Sequence, residues 1–289
     1  MRHRSFDVNP AEYPFESRWH DRAEGTMHYV DEGEGPAIVM CHGNPTWSYL
    51  YRHIIKAMRG DTRCIAHDLP GFGYSPIPDG HFGFTVQEHV QWLESLLFER
   101  LKLQHFVLVV QDWGGPIGLD IASRHPERIR GIVISSTWAW PVPPAIRLFS
   151  HAFGNPLLHE ANLRFNLFPR WLMKATLGRN ARTDSTLSAY ISPFPDRDSR
   201  AAMAALPCEL RDADPWLAAL ERRLSTLRHI PVEFIFGARD ILSRPRYRER
   251  WHRHFPNAVT HVDPQAGHYT QEDCPQHYVA ALRRVLALS

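Results

Sequence analysis

The apolar run Phe106-Val107-Leu108-Val109-Val110 ends at Gln111, and Asp112-Trp113-Gly114-Gly115 follows at once. A carboxylate therefore stands where a buried strand stops and a glycine-rich helix begins. A continuous apolar run of this length suits a strand covered on both faces, and a helix directly behind it is the start of a crossover to a parallel neighbour. In the related pattern G-x-S-x-G, a serine occupies this turn, its reactive atom held above the sheet and against the helix N-terminus. Serine in such a seat makes acyl enzymes from carbonyl compounds, whereas a carboxylate is better suited to displacing a leaving group from saturated carbon. Asp is also a favoured helix N-cap, and a cap bonding the amides of Gly114 and Gly115 accounts for the turn equally well by itself.

The rest of the chain repeats the strand-then-helix pattern. Strands are predicted at Phe15 to Trp19, Thr26 to Val30, Ala37 to Cys41, Arg63 to His67, Phe106 to Val110, Ile129 to Ser135, Val232 to Phe236 and Ala258 to Val262. Helices are predicted at Trp47 to Met58, Val86 to Leu101 with Thr85 as its cap, Ile117 to Ser123, and Gln271 to Leu286. This alternation implies an α/β fold with a mostly parallel central sheet flanked by helices, whose sites gather at the carboxyl ends of the strands. One stretch breaks it. From Trp138 to Thr226 there is no convincing strand, only Pro-rich joints and helix-like segments rich in Phe, Trp, Leu and Arg. We expect residues 138–226 to form a helical cap, with 1–137 and 227–289 as one discontinuous core over which the cap encloses an apolar cavity.

Composition removes several classes of function. Of 289 residues, 44% are hydrophobic and 22% charged, enough to bury a large core. No apolar run approaches the roughly 18 residues of a membrane span, and Met1 to Pro14 lacks the apolar core of a signal peptide, so a cytoplasmic protein without membrane insertion is expected. A net charge of +2 gives no case for nucleic acid. Cys41, Cys64, Cys208 and Cys274 show no metal or redox spacing, and the 18 histidines form no metal-spaced cluster, so neither metal nor other cofactor is expected. Five arginines between Arg244 and Arg253, interleaved with Tyr247 and Trp251, read as a solvated amphipathic helix. Assembly into a homo-oligomer is left open.

Three further loops open at the same edge as Asp112. Cys41-His42-Gly43-Asn44-Pro45 follows a strand, and its glycine lets the backbone approach a reacting atom. Gly237-Ala238-Arg239-Asp240 ends the strand after the cap, and Ala266-Gly267-His268 follows the last strand. Nucleophile, acid and histidine in that order match the α/β-hydrolase triad, in which backbone amides of the first loop and of the residue after the nucleophile form the oxyanion hole. Here those amides belong to Asn44 and Trp113. Asp263 competes with Asp240 for the acid, but it ends the strand immediately before His268, whereas the acid should come from an earlier strand end. Glu272 and Asp273 are expected to stabilise the start of the last helix.

Nearly the whole chain resembles the haloalkane dehalogenases: Tyr-Val-Asp-Glu-Gly at 29–33, His-Gly-Asn-Pro-Thr-Trp-Ser at 42–48, Gly-Phe-Gly-Tyr-Ser at 71–75 and Gln-Asp-Trp-Gly-Gly at 111–115. The resemblance implies Asp112 as nucleophile, His268 as base, and Asn44 and Trp113 as ligands of a departing halide, with a small halogenated alkane as substrate. Family members place the triad acid either before or after the cap. The strand before it ends Ser135-Ser136-Thr137, so the acid is Asp240, as in the third subfamily of these enzymes. The β-lactone decarboxylases of olefin biosynthesis look the same at these positions. Epoxide hydrolases share the Asp-Trp-Gly turn but use two cap tyrosines, of which Tyr190 is the clearest candidate here. Fluoroacetate dehalogenases carry Arg where this chain has Trp113, and a non-catalytic binding module would be expected to have lost a triad member. Trp138, Phe165, Phe168 and Trp171 are candidate pocket walls, although aromatics at helical spacing also serve packing within a cap.

Overall fold

The computed structural model describes residues 5–80, 82–178 and 181–288. The first four residues of the Met1 to Pro14 stretch, and residues 179 and 180 of the expected cap, lie outside them. An eight-stranded sheet runs in the order β1-β2-β4-β3-β5-β6-β7-β8. Its strands are β1 Arg18–Arg22, β2 Gly25–Glu32, β3 Ala37–Cys41, β4 Arg63–His67, β5 Phe106–Gln111, β6 Ile129–Ser135, β7 Val232–Gly237 and β8 Val259–Asp263. Pairings β1 to β2 and β2 to β4 are antiparallel and all others are parallel.

Side-chain alternation divides the central strands between two cores. On β3 and β5, Val39, Cys41, Leu108 and Val110 pack on one face, while Ile38, Met40, Val107 and Val109 pack on the other. Helices α1 Arg52–Met58, α2 Val86–Ser95 and α3 Gly114–Arg124 connect the strands. The start of α2 is closed by a capping box between Thr85 and Glu88. Between β6 and β7 the chain is helical: α4 Pro144–Gly154, α5 Pro156–Phe165, α6 Lys174–Thr176, α7 Asp184–Ile191, α8 Ala201–Asp212 and α9 Asp214–Arg223. After β7 come α10 Pro245–His254, α11 Thr270–Asp273 and α12 Pro275–Leu288. In α10, Tyr247 and Trp251 are buried beneath the arginines. Among the described residues no helix is long and apolar enough to cross a membrane.

Three of the boundaries that differ from the sequence reading have a plain physical setting. The first strand starts at Arg18, because the ladder with β2 begins at the pair Arg18 and Tyr29, while Phe15 packs edge-on against Tyr13 before the ladder starts. The last helix is interrupted at Cys274, and Pro275 starts α12 in the position where its missing N–H costs nothing. Helix α3 begins at Gly114 rather than Ile117, directly behind the β5 turn.

Strand order reverses between β3 and β5, since β4 lies on one side of β3 and β5 on the other. The loops leaving two such neighbours diverge and open a crevice at their carboxyl ends. Asn44 and Asp112 stand in those two loops.

Candidate active site

Asp112 has φ +48°, a left-handed conformation that L-residues adopt only where surroundings hold them in it. Several bonds do so. Its N–H donates to the Ser136 carbonyl (3.1 Å), and its own carbonyl accepts from Gly115 N (2.9 Å) and Thr137 Oγ1 (2.6 Å). The carboxylate turns away from α3, which has no side-chain cap. Instead Oδ1 accepts the Asn44 backbone N–H at 2.8 Å, and Oδ2 lies 3.4 Å from His268 Nε2. The Asp112 side chain therefore does not act as the N-cap of α3. The β3 loop closes over it without side-chain bulk: a Cβ on Gly43 would stand 2.3 Å from Asp112 Oδ1.

Asp240 ends the turn after β7, its N–H bonded to the Gly237 carbonyl at 3.0 Å. Its Oδ1 accepts from Leu242 N (3.2 Å) and lies 3.3 Å from His268 Nδ1. Burial penalises charge on His268, but Asp240 and Asp112 on its two nitrogens outweigh this and raise it to about 10. Burial also works against charge on Asp240, yet His268 holds it below the usual carboxylate range. Asp263 stands apart from this pair. Its Oδ1 accepts from Gln265 N (2.8 Å) and Ala266 N (2.9 Å), shaping the loop that carries His268, and its Oδ2 faces His277.

Glu272 and Asp273 stand in the first turn of α11, and their side chains also make tertiary contacts. Glu272 is buried against Arg52 in a two-pronged ion pair and accepts from the Tyr190 hydroxyl. Asp273 Oδ2 accepts from Gly267 N (2.7 Å) and Gly178 N (3.1 Å), and His268 N donates to the Thr176 carbonyl at 3.0 Å. The histidine loop is thereby bonded to the insert on both sides of Leu177.

Asn44 is also joined to the insert. Its Nδ2 donates one of two N–H groups to the Met203 carbonyl on α8 (3.0 Å), which fixes the amide plane and leaves the second N–H without an acceptor among the described residues. Among the described residues nothing accepts the Trp113 indole N–H, and its ring meets Trp138 edge-on at 5.0 Å. Asn44, Asp112, Trp113, Asp240 and His268 all line one cavity of about 420 Å³.

Trp138 and Phe168 line the same cavity, but Phe165 and Trp171 do not. Phe165 is 57% exposed at the end of α5, whose buried side is formed by Asn162 and Leu163. Trp171 is 72% exposed because residues Phe168–Met173 form a π turn. A wider turn brings Leu172, four residues from Phe168, to the cavity and carries Trp171 outward. Tyr190 is buried and does not line it. The sequence reading missed Ile146, Phe149, Leu172, Arg182, Arg239 and Tyr269 as lining residues. For Ile146 and Phe149 the signal was present, as a spacing of three on one helix.

Residues 36–275 match the model of the α/β-hydrolase fold family. The chain is 41% identical over 281 residues to haloalkane dehalogenase 2 of Mycobacterium tuberculosis, covering 96% of this chain and 97% of that protein. The chain belongs to the haloalkane dehalogenase branch of the α/β-hydrolase family. Among solved structures, this family member is similar to the haloalkane dehalogenase DbeA of Bradyrhizobium elkani, with a TM-score of 0.82, 26% identity, and coverage of 95% of this chain and 100% of that one. It is also 32% identical to a cis-3-alkyl-4-alkyloxetan-2-one decarboxylase of Xanthomonas campestris, over 90% of this chain and 92% of that protein.

Proposed function

We propose that this enzyme hydrolyses carbon–halogen bonds of small apolar substrates through an ester on Asp112, giving alcohol and halide. The observation that carries the reading is the Asp112 carboxylate, turned out of a strained elbow and held between the Asn44 amide and His268. Asp112 Oδ attacks the halogen-bearing carbon in line. The free N–H of Asn44 and the indole N–H of Trp113 stabilise the halide as its charge develops.

Ester formation then changes the electrostatics of the base. With both carboxylates ionised, His268 keeps its proton; esterification removes the charge of Asp112 and with it part of what raises His268. The histidine loses its proton more readily and accepts one from water, which attacks the ester carbonyl while the amides of Asn44 and Trp113 hold the oxyanion. Asp240 fixes the tautomer and balances the imidazolium. Residues 138–226 act as a cap whose Trp138 and Phe168 give the cavity its apolar wall. We place the enzyme in the cytoplasm, where its four free thiols would stay reduced.

The similarity to the oxetanone decarboxylase supports a second reading, decarboxylation of a β-lactone to an alkene on the same residues. Bromide release from 1-bromoalkanes, measured beside alkene release from a dialkyl β-lactone, decides between them. Bromide release with no alkene is expected; alkene alone would overturn the dehalogenase reading. Epoxide opening by cap tyrosines has no support, since Tyr190 is engaged by Glu272 and no tyrosine of the insert lines the cavity among the described residues.

A further inference from the structure

The cavity wall contains two arginines that displacement of a halide from an alkane does not require. Arg182 and Arg239 line the same cavity as Asp112, and both are exposed, so they stand at its rim. Arg182 is fixed there: Nε donates to the Leu177 carbonyl at 2.8 Å and Nη2 to the Ala175 carbonyl at 3.1 Å, both on residues of the wall. That leaves its Nη1 group without an acceptor among the described residues. The Arg239 side chain likewise has no ion pair or hydrogen bond among them. The acidic lining residues are Asp112 and Asp240, and both face His268. Below the rim the wall is apolar, with Phe149, Phe168, Leu172 and Leu177.

A neutral alkane would occupy the apolar wall and leave both guanidinium groups facing water. An occupant with an apolar stem and an anionic far end would satisfy both zones, because a guanidinium fork gives a carboxylate directed, charge-assisted hydrogen bonds. Resting on the reading of Asp112 as nucleophile, we propose that Arg182 and Arg239 form a subsite for a carboxylate at the end of the substrate remote from the halogen. The substrate class is then ω-halogenated carboxylates, with carbon–halogen cleavage at the bottom of the cavity and the carboxylate untouched at its rim.

The test uses the intact protein and two pairs of compounds. Binding of hexanoate and 1-hexanol by titration calorimetry reads the rim without any chemistry. Turnover of 6-bromohexanoate and 1-bromohexane reads it through kcat/KM. We expect hexanoate to bind about tenfold more tightly than hexanol, the scale of one solvent-screened, charge-assisted hydrogen bond. The bromo pair should show the same ratio, mainly through KM. Arg239→Gln should bring both ratios toward one, Arg239→Lys should retain part of them, and raised salt should lower them in the wild type. Equal binding of hexanoate and hexanol, or a preference undiminished in Arg239→Gln and in an Arg182→Gln, Arg239→Gln double variant, would overturn the subsite. Absence of bromide from both substrates would instead overturn the Asp112 reading, while the hexanoate titration would still decide the rim.

Discussion

The carboxyl edge of the sheet and the helical insert face the same cavity, yet they hold it by different means. At the sheet edge, backbone geometry places the groups of the proposed chemistry: the positive φ of Asp112, the Gly43 approach and the turn that ends in Asp240. In the insert, side-chain packing on short helices and a π turn decides which aromatics reach the cavity. Chemistry is thus tied to strand ends that hydrogen bonding makes rigid, and the shape of the cavity to elements whose facing can shift with a change of helical period. Substitutions at the edge should therefore alter rate, and substitutions in the insert should alter selectivity.

The largest expected effect is at the elbow. Asp112→Ala should lower turnover on the order of a millionfold, as for loss of other covalent nucleophiles; retained activity would mean that the edge does not carry the chemistry. His268→Phe should lower turnover by about 100- to 10,000-fold, the usual contribution of a general base. In that variant intact-mass spectrometry should find the alkyl adduct on the peptide containing Asp112, with one equivalent of bromide released. A folded variant with no adduct, beside an active wild type, would count against the ester.

Loss of one halide donor, in Asn44→Ala or Trp113→Phe, should cost about 10- to 1,000-fold in rate, by analogy with oxyanion-hole donors. Unchanged rates and bromide affinity in both would remove the halide role. The insert should respond less. Phe168→Ala is expected to lower kcat/KM for bromoalkanes about tenfold, chiefly through KM. Trp171→Ala should leave it within about twofold, since that ring faces water. A reversed order would show that the π turn rearranges in solution.

Beneath the edge, His67 and His89 are buried, and burial lowers each to about 3. The unfolded chain therefore binds more protons below pH about 6.5, so these residues make stability fall from there down toward pH 3. The limiting slope is about 1.4 kcal/mol per pH unit for each histidine. His268 acts in the opposite sense. Its raised value, about 10, gives stability that is complete below its unfolded value and is lost as pH rises through 10. Urea midpoints against pH should show an acid limb that flattens in His89→Leu; an unchanged limb would show that these rings are not its source.

The same contrast explains what the sequence could reveal. β3, β4 and β6 are legible to the residue because each is a short apolar run bounded by turns. The meeting of Asp112, Asp240 and His268 at one cavity is legible because a strand end is a fixed place; the roles proposed for them rest on their order along the chain. Phe165 and Trp171 are misread because apolar character shows that a helix has an inner side without showing which residues face it once the turn widens. Arg182 and Arg239 are illegible for a related reason, since their spacing in the chain carries no sign that one rim unites them. Glu272 and Asp273 look like helix-start charges, and only tertiary contacts show that one holds Arg52 and the other the backbone beside His268.

That last bond also ties the two regions together. Thr176 and Gly178 of the insert are bonded to His268 N and Asp273, and a Cβ on Gly267 would stand 2.1 Å from the Thr176 carbonyl, so the two segments touch with no slack. Lifting the insert at this seam would draw His268 away from Asp112. The position of the insert and that of the His268 backbone are thus coupled mechanically through one short seam.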